Sequence, residues 1–460
     1  MKHKLLFAII FSAALYAETT LTIYNDNLGV VKEVREIDFT KGISEIKFTD
    51  VAQTIDPTSV SFMPAGDANI ELLEQNYEYD LVNPYGLLEK YIDKDIELWV
   101  QKDENDSPIL DSYKLLSTSG NEFVLLKDGV LTILSRDVIK GIQFPQNDEE
   151  LLTRPTLIWL ASSDATTTLP CQVAYMARQI SWKANYSMII NEAEDAMDFS
   201  GWVTITNNSG KDYQDASIKL IAGDVRIVRE AMPRTMSDSS LLYARNAKMA
   251  GEGFEEKSFQ DFHLYTLGRK STINNKQVKQ IQFIEPAENV KLKKYYRASA
   301  DVANAGEMTV HPDICFEFKN EKDNSLGIAL PKGLIRVFKE DTADGSLEFV
   351  GESPIDHTPK DEDVEVSTGE AFDIACEITT AKVDNRSNKI HNYEKAFELR
   401  NHKDEAVEVR VEFSYPVTAN CEVSTKEKYE MPRAGIIRFT ANLKAGEERK
   451  IEFAAELDYK

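Results

Sequence analysis

The strongest constraint on the fold of this chain is a two-residue alternation of apolar and polar side chains. It is clearest in ISWKANYSMIIN (180–191), where every even position is apolar or aromatic and the odd positions are polar except Ile189. A period of two indicates a β-strand with one buried and one solvated face. Because Trp182 and Tyr186 lie on the apolar face, we predict that they fill a core and do not form a binding platform.

Runs of this kind follow one another through most of the chain, separated by Gly, Asn-Asp and Asp-Pro turns. The chain is therefore predicted to be all-β and mainly antiparallel, with two or three immunoglobulin-like β-sandwiches. Between residues 83 and 145 the runs are closely spaced. This favours a small five-stranded β-barrel inserted in a larger sheet, although 86–92 also suits a helix. The segment 230–260 has clustered Ser and no alternation, which predicts a long mobile loop.

One short pattern occurs three times: an apolar strand, an Asn, a Lys-Asp turn and a second apolar strand. The copies are ITNNSGKDYQDASIKL (205–220), FEFKNEKDNSLGIAL (316–330) and FELRNHKDEAVEVRV (397–411). Because Asn and Asp side chains hydrogen-bond to turn backbone, the pattern predicts three β-hairpins of one construction. The tail LKAGEERKIEFAAEL (443–457) similarly predicts a closing hairpin.

The N-terminus has the three parts of a secretory signal peptide. Lys2 and Lys4 precede an apolar run, and small residues lie before Glu18. We expect cleavage after Ala17, with Ala14 as the alternative, and a mature protein that is periplasmic or secreted. The apolar run is too short for a transmembrane helix and no later stretch is long enough, so no membrane span is expected after cleavage.

These patterns divide the chain into four predicted parts. A length of 460 residues is sufficient for several cores. The parts are a signal peptide (1–17), an N-terminal β unit (18–146) with the barrel-like insertion at about 83–145, a central β-sandwich (147–290) with the mobile loop 230–260, and a C-terminal immunoglobulin-like region (291–460).

The net charge limits the partners of this protein. At −24 the chain repels the phosphates of nucleic acids and of anionic lipid surfaces. Nucleic acid is therefore not an expected partner. The acidity alone does not indicate calcium binding, because a well-hydrated surface has the same composition.

The four cysteines, Cys171, Cys315, Cys376 and Cys421, lie far apart and lack the spacing of a zinc site. Export to an oxidising compartment permits disulfides, but a chain of this size does not require them. Cys376 and Cys421 alternate with apolar residues in the C-terminal region. They are therefore either buried free thiols or the two halves of one bridge.

The chain has no GxSxG, P-loop, GxGxxG, HExxH or EF-hand motif. His311 and Asp313 offer two metal ligands, but the intervening proline favours a turn. The segment DTADGSLEF (341–349) is acidic like a calcium loop, but its Asp344-Gly345 favours a hairpin turn. We therefore predict no catalytic, cofactor-binding or metal-ligating residues.

Several short motifs occur in a specific order along the chain. They are Tyr175, Trp182, Ala184 and Tyr186, then Asn207, Leu220-Ile221-Ala222-Gly223, Leu330-Pro331-x-Gly333-x-x-Arg336 and Gly369-x-Ala371-Phe372-Asp373, after the opening segments LTIYNDNLGVVKEVREI and IDPTSVSF. In this combination the chain resembles the secreted bacterial domain of unknown function found in mucoidy-inhibitor-A-like proteins. The resemblance implies an exported, β-rich protein with no established activity and no catalytic residues to transfer.

Two functions are compatible with these patterns. The strand-rich acidic chain and the absent motifs favour a non-enzymatic protein of the cell envelope or periplasm that binds a protein or a glycan, without a cofactor. The alternative is a hydrolase whose inter-domain site is assembled from distant Asp, Glu and His residues, under the loop 230–260. A deep pocket with converging acids and a histidine would favour the hydrolase. Shallow grooves and exposed strand edges would favour binding.

Overall fold

The structure is a computed structural model that describes residues 18–66, 69–79, 84–101, 107–145, 152–223, 254–259, 262–341, 343–387 and 389–459. Almost all of its regular structure is β and most strand pairs are antiparallel, as predicted. The predicted signal peptide (1–17) lies outside the described residues, and so does most of the predicted loop (230–260). The described part of that range, Phe254–Phe259, is a strand and not a loop.

The described elements follow in chain order. The first group is β1 (Glu18–Tyr24), β2 (Leu28–Phe39), β3 (Gly42–Thr49), β4 (Ile55–Pro64), β5 (Ile70–Glu78), α1 (Pro84–Lys90), β6 (Asp95–Val100), β7 (Ile109–Ser119), β8 (Glu122–Lys127), β9 (Val130–Ser135), a 3₁₀ turn (Arg136–Val138) and β10 (Ile139–Gln143). The second group is β11 (Thr156–Ser163), β12 (Thr167–Arg178), β13 (Ile180–Ile190), β14 (Ala196–Asn207), β15 (Tyr213–Ala222), β16 (Phe254–Phe259), β17 (Phe262–Leu267), β18 (Ser271–Ile273) and β19 (Gln277–Asp301).

The last group is β20 (Glu307–Val310), β21 (Asp313–Lys319), a 3₁₀ turn (Lys322–Asn324), β22 (Gly333–Asp341), β23 (Ser346–Ile355), β24 (Asp363–Glu370), β25 (Ile374–Asn385), β26 (Ile390–Asn401), β27 (Val407–Ser414), β28 (Ala419–Thr425), β29 (Ile436–Leu443) and β30 (Glu448–Tyr459). Within the described ranges, helices fall short of the length and apolar character that a membrane crossing requires.

A large sandwich brings together strands that lie far apart in the sequence. One part of it is an eight-stranded sheet in the order β16-β17-β15-β1-β2-β12-β4, with β18 paired to β15, and a three-stranded sheet β3-β11-β5. The other part is the run β23-β22-β13-β14-β19-β21-β24 of a nine-stranded sheet. One hydrophobic core, with members from Leu21 to Val366, includes side chains from all three sheets. Since β1 pairs with β15, strands from both sides of the predicted boundary at 146–147 share this core.

The strand β19 belongs to two sandwiches at once, because it is 25 residues long. Its N-terminal half pairs with β14, and its C-terminal half pairs with β21 and, in parallel, with β27. In the second sandwich, the five-stranded sheet β20-β25-β26-β30-β28 packs with β19, β27 and β29 around a separate hydrophobic core. The predicted boundary at 290–291 therefore lies within one continuous strand.

The insertion is an open five-stranded sheet in the order β10-β6-β7-β8-β9. The predicted number of strands is correct, but the predicted barrel is not closed. The two end strands, β9 and β10, pair with β8 and β6 and not with each other. Helix α1 agrees with the helical alternative for 86–92. Its Leu88 joins Tyr91, Ile96 and Leu98 in the core of this sheet. The helix thus covers apolar surface that barrel closure would otherwise bury.

Two of the three repeated Asn segments are corners between sheets and the third is a crossover within one sheet, so the predicted hairpins are wrong. β14 and β15 lie in different sheets, and so do β26 and β27. β21 and β22 lie in the same sheet but are not neighbours in it. The closing hairpin is also wrong, because β29 and β30 lie in different sheets. Asn207, Asn320 and Asn401 are buried in these three connections and bond to the backbone there. These bonds stabilise each turn without the ladder of a hairpin.

Trp182 and Tyr186 fill the core, as predicted, with exposed fractions of 0% and 2%. The indole Nε1 donates to the carbonyl of Ile221 over 3.2 Å, and the phenol donates to the carbonyl of Pro331 over 2.7 Å. The ring of Tyr186 stacks on Phe199 with centroids 5.5 Å apart. Backbone satisfies both polar atoms, and neither ring is available as a platform.

Candidate functional site

A path of small side chains crosses the outward face of the five-stranded sheet β20-β25-β26-β30-β28 of the second sandwich. The strand register places Thr379 opposite Ala396, Glu394 opposite Ala454, and Ala454 opposite Ser424. Because Ala396 lies two residues from Glu394 on β26, it is the diagonal neighbour of Ala454. The small-residue path therefore consists of Thr379, Ala396, Ala454 and Ser424.

The space above the small-residue path is an open trough of about 1180 Å³. Glu394 and Glu452 lie on opposite sides of the path, each directly across from one of its alanines. Glu307 on β20 lies opposite Thr379 at one end. With neighbouring strands ~4.8 Å apart, the four steps from β20 to β28 cover about 19 Å, which is the length of roughly six residues of extended chain.

The trough is acidic. Six glutamates and three lysines border it, so its field is negative. Lys450 contacts Glu452 at 2.8 Å, and the hydrogen bond from this lysine lowers the pKa of the Glu452 carboxyl. Glu394 has a more distant partner in Lys382, at 3.9 Å. Glu394 is therefore the carboxylate on the path with more capacity to accept a cation from outside.

Two other glutamates of the trough are already engaged by Arg400. Its guanidinium donates to both carboxylate oxygens of Glu377, at 2.7 and 3.1 Å, and to Glu398 at 3.2 Å. The hydrogen bond from Arg400 holds the pKa of the Glu377 carboxyl below its usual range. This bidentate arrangement fixes one wall of the trough and partly neutralises it.

A buried lysine lies beneath the small-residue path. Lys395 is 2% exposed and lies between two outward residues of β26. Its ammonium donates to the carbonyl of Asn304 and to the hydroxyl of Thr380, the latter over 2.9 Å. Burial lowers the pKa of Lys395, and the charge of Asp301 opposes that shift. The ammonium is thus held mainly by neutral oxygens.

The trough presents hydrogen-bonding and ionic groups on an open surface. Hydroxyls and carboxylates line it, but the described lining residues include no histidine or cysteine that could act as a base or a nucleophile. In the described part of the chain, no three His, Cys, Asp or Glu side chains are placed to hold a metal ion. An open trough also leaves the carboxylates hydrated. These properties match the shallow groove that favours a binding function.

The weak ligand candidates from the sequence lie away from the trough. The acidic segment 341–349 is the hairpin turn that was predicted, between the paired strands β22 and β23. The carboxylate of Asp344 accepts a hydrogen bond from the backbone two residues later, over 2.9 Å. Of the pair His311 and Asp313, the carboxylate lies 3.8 Å from Arg297. Both segments therefore use their acids to hold protein groups.

All four cysteines are free thiols. Cys376 is fully buried on β25, and Cys421 packs against the same core from β28. Two strands separate them in the sheet. At ~4.8 Å per strand they are at least about 14 Å apart, which exceeds the reach of a disulfide. The alternative of a Cys376–Cys421 bridge is therefore wrong.

Another charged cluster is buried in the large sandwich. The ammonium of Lys211 lies 3.2 Å from the carboxylates of Glu33 and of Asp50, and Glu33 also pairs with Arg35. Lys211 and Glu33 are 5% and 3% exposed. The cluster ties the corner after β14 to β2. Because its charges pair with one another, it acts as a structural link.

The trough was missed in the sequence, although both of its central strands carry the same signal. Residues 394–398 and 452–456 each read Glu-x-Ala-x-Glu. In a strand these three residues share one face, with the small residue between two acids. Only the register of β26 against β30 brings the two copies side by side.

Comparison with protein families gives a match that includes both the aromatic strand β13 and the trough. The family described as Domain of unknown function (DUF4139) matches residues 171–460. The chain belongs to this family. The part of this DUF4139 protein that matches begins within β12, after the insertion, and contains the whole second sandwich. A comparison with curated proteins gives no match.

Proposed function

We propose that this DUF4139 protein is a binding protein whose trough holds an extended, basic segment of a partner protein. The observation that carries the proposal is the small-residue path, which leaves room for a peptide between Glu394 and Glu452. Lysine or arginine side chains of the partner pair with these carboxylates and with Glu307. The negative field of the trough steers such a segment toward it.

A protein partner fits the trough better than a glycan does. Sugar rings commonly pack on exposed aromatic rings, and the aromatic residue among the described lining residues, Phe453, is 4% exposed and packs in the core. Short side chains and carboxylates instead suit the backbone and cationic side chains of a peptide. The hydrolase alternative gains no support here, because the trough is open and its described lining includes no histidine to converge with the acids.

The same proposal places the mature protein in the periplasm or cell envelope. Its support is the tripartite N-terminal sequence together with the resemblance to the secreted domain of mucoidy-inhibitor-A-like proteins. N-terminal sequencing of the native protein is expected to begin at Glu18. Recovery of intact Met1 contradicts the proposed export.

Calorimetry with a hexalysine peptide tests the trough as a binding site. The double variant Glu394→Gln/Glu452→Gln is expected to weaken binding roughly three- to tenfold, because an exposed ion pair contributes up to about 1 kcal/mol. Added salt is expected to weaken binding to the unmodified protein as well. The matched control is Glu422→Gln, which makes the same charge change on the outward face of β28 but outside the trough lining.

Blocking the path tests its role separately from charge. Ala396→Tyr places a ring on the path at an outward position, and it is expected to abolish binding while far-UV circular dichroism stays unchanged. If hexalysine binds equally to the Ala396→Tyr protein, or if Glu422→Gln weakens binding as much as the double variant does, the trough is not the site.

A further inference from the structure

The outer strand of the insertion has an edge without charges. Among the described strands, β9 ends its sheet and pairs with β8 on one side only. Its six residues, VLTILS, include no charged side chain. Every other strand longer than three residues that ends a described sheet contains at least one charged residue. Such charges discourage edge-to-edge pairing, so their absence from β9 leaves this edge able to pair.

The free side of β9 offers apolar side chains and unpaired backbone groups. Val130, Leu131 and Ile133 are 62%, 66% and 64% exposed. The turn before β9 has positive φ at both of its residues, Asp128 (49°) and Gly129 (79°), as in a two-residue type I′ hairpin. The pair next to such a turn is hydrogen-bonded. By alternation, the N–H and C=O groups of Leu131 and Ile133 point away from β8.

We propose that β9 pairs with β9 of a second copy of this chain, antiparallel and centred on Thr132. In this register Leu131 faces Ile133 of the second copy, and the reverse pair forms on the other side of the twofold axis. The backbone groups that are free in one chain are then the ones that bond between the chains. The two insertion sheets become one continuous sheet.

The side chains of β9 are complementary to themselves in this register. Val130 comes opposite Leu134 of the second copy, Leu131 opposite Ile133, and Thr132 opposite Thr132. Apolar residues therefore meet apolar residues, and the two threonines meet at the axis, where Thr–Thr pairs are favourable. Few strands of unrelated sequence would match as well, which favours a second copy over another protein.

The charges on either side of β9 match in the same register. Asp128 lies in the turn at one end of β9 and Arg136 in the 3₁₀ turn at the other end, so the antiparallel arrangement brings the Asp128 end of one copy to the Arg136 end of the second. Opposite charges thus meet at both ends of the paired strands. A shift of the register by one residue would place apolar residues on the wrong face.

Sedimentation of the full chain tests the pairing, and we expect twice the mass of one chain. Leu131→Lys/Ile133→Lys places like charges at both paired positions and is expected to give a monomer. Leu131→Glu/Ile133→Lys places opposite charges there and is expected to keep the dimer. The matched control is Ile109→Lys, which adds a charge at a residue of the same sheet that is 69% exposed, and it is expected to leave the mass unchanged.

Cross-linking tests the register independently. Thr132→Cys places two thiols across the axis, where the Cα atoms of a non-hydrogen-bonded pair are ~4.5 Å apart, within disulfide range. Mild oxidation is expected to give a covalent dimer, and Ser112→Cys, exposed on the inner strand β7, is expected to stay monomeric. A monomeric native chain overturns the proposal, and so does an equal mass for the two charged double variants. If a charged variant does not fold, absence of the Thr132→Cys cross-link overturns it instead.

Discussion

Asn207 and Asn401 make the same hydrogen bonds at the corners of two different sandwiches. Each side-chain amide donates to the carbonyl four residues later, that of Lys211 at 2.9 Å and that of Glu405 at 2.8 Å. Each side-chain oxygen accepts from the N–H two residues later, over 3.0 Å in both cases. Each amide also donates to a neighbouring turn, at Asn274 or at Lys444. One side chain thus holds two turns together.

Replacing either asparagine is expected to destabilise its own sandwich. Asn207→Ala and Asn401→Ala each leave buried backbone groups without partners, which costs about 2 to 3 kcal/mol. Asn420→Ala on the exposed side of β28 is the control and is expected to cost about 0.5 kcal/mol or less. Urea unfolding measures all three, and a cost for Asn401→Ala equal to that of Asn420→Ala would contradict the structural role.

Trp182→Ala is expected to lower the free energy of unfolding by about 3 to 5 kcal/mol, the usual cost of deleting a large buried ring. Lys183→Ala, the next residue on the exposed face, is expected to cost about 0.5 kcal/mol or less. Thermal melts of the two variants side by side make the comparison. An unshifted melting curve for Trp182→Ala would mean that the ring is not part of the core.

The lowered pKa of Lys395 predicts that the stability of the folded protein rises with pH. Its pKa is lowered by burial in the folded protein, so the unfolded chain binds more protons between that value and the ordinary 10.5. The stability of the native protein relative to Lys395→Met is therefore expected to increase as the pH rises from neutral toward 10.5. Urea unfolding at several pH values measures this difference.

Lys450→Met is the control for that series. The hydrogen bond from Lys450 to Glu452 raises the pKa of this exposed lysine. Its stabilising contribution is present at neutral pH and is lost as the pH rises through the raised pKa. Relative to Lys450→Met, the native protein should therefore keep a constant stability up to pH 10.5 and lose stability only above it. Equal slopes for the two lysine variants would rule out the burial effect at Lys395.

The cysteines are expected to be unreactive in the native protein. Burial raises the pKa of Cys376 to about 12 and that of Cys171, Cys315 and Cys421 to about 11. Few thiolates are then present at neutral pH to attack a disulfide reagent. We expect four thiols per chain to react once the protein is unfolded without reductant. A lower count would reveal a disulfide and contradict the structure.

The sequence predicted the direction of side chains better than the neighbours of strands. Alternation correctly placed Trp182 in the core because side-chain direction in a strand depends only on the local backbone. The Asn segments were interpreted as hairpins because a turn motif is equally local. What makes Asn207 a sheet corner is its contact with a turn 67 residues away, at Asn274. No local pattern contains that contact.

The trough shows the same division. The two Glu-x-Ala-x-Glu segments already determine that an alanine and two acids share one face of β26 and one face of β30. Whether Ala396 is the diagonal neighbour of Ala454 or of an acid depends on the register between the two strands. A shift by two residues that placed Ala396 opposite Lys450 would keep every side chain on its face and close the path.

The sequence by itself therefore determined that the chain is all-β, which residues of a strand such as β13 point inward, and where the chain turns at 341–349. Only the tertiary structure decided that β1 joins β15, that β19 serves two sandwiches, and that the insertion stays open. The physical reason is that strands pair through backbone groups, which are alike at almost every residue. Partner and register are chosen by the packing of the whole core.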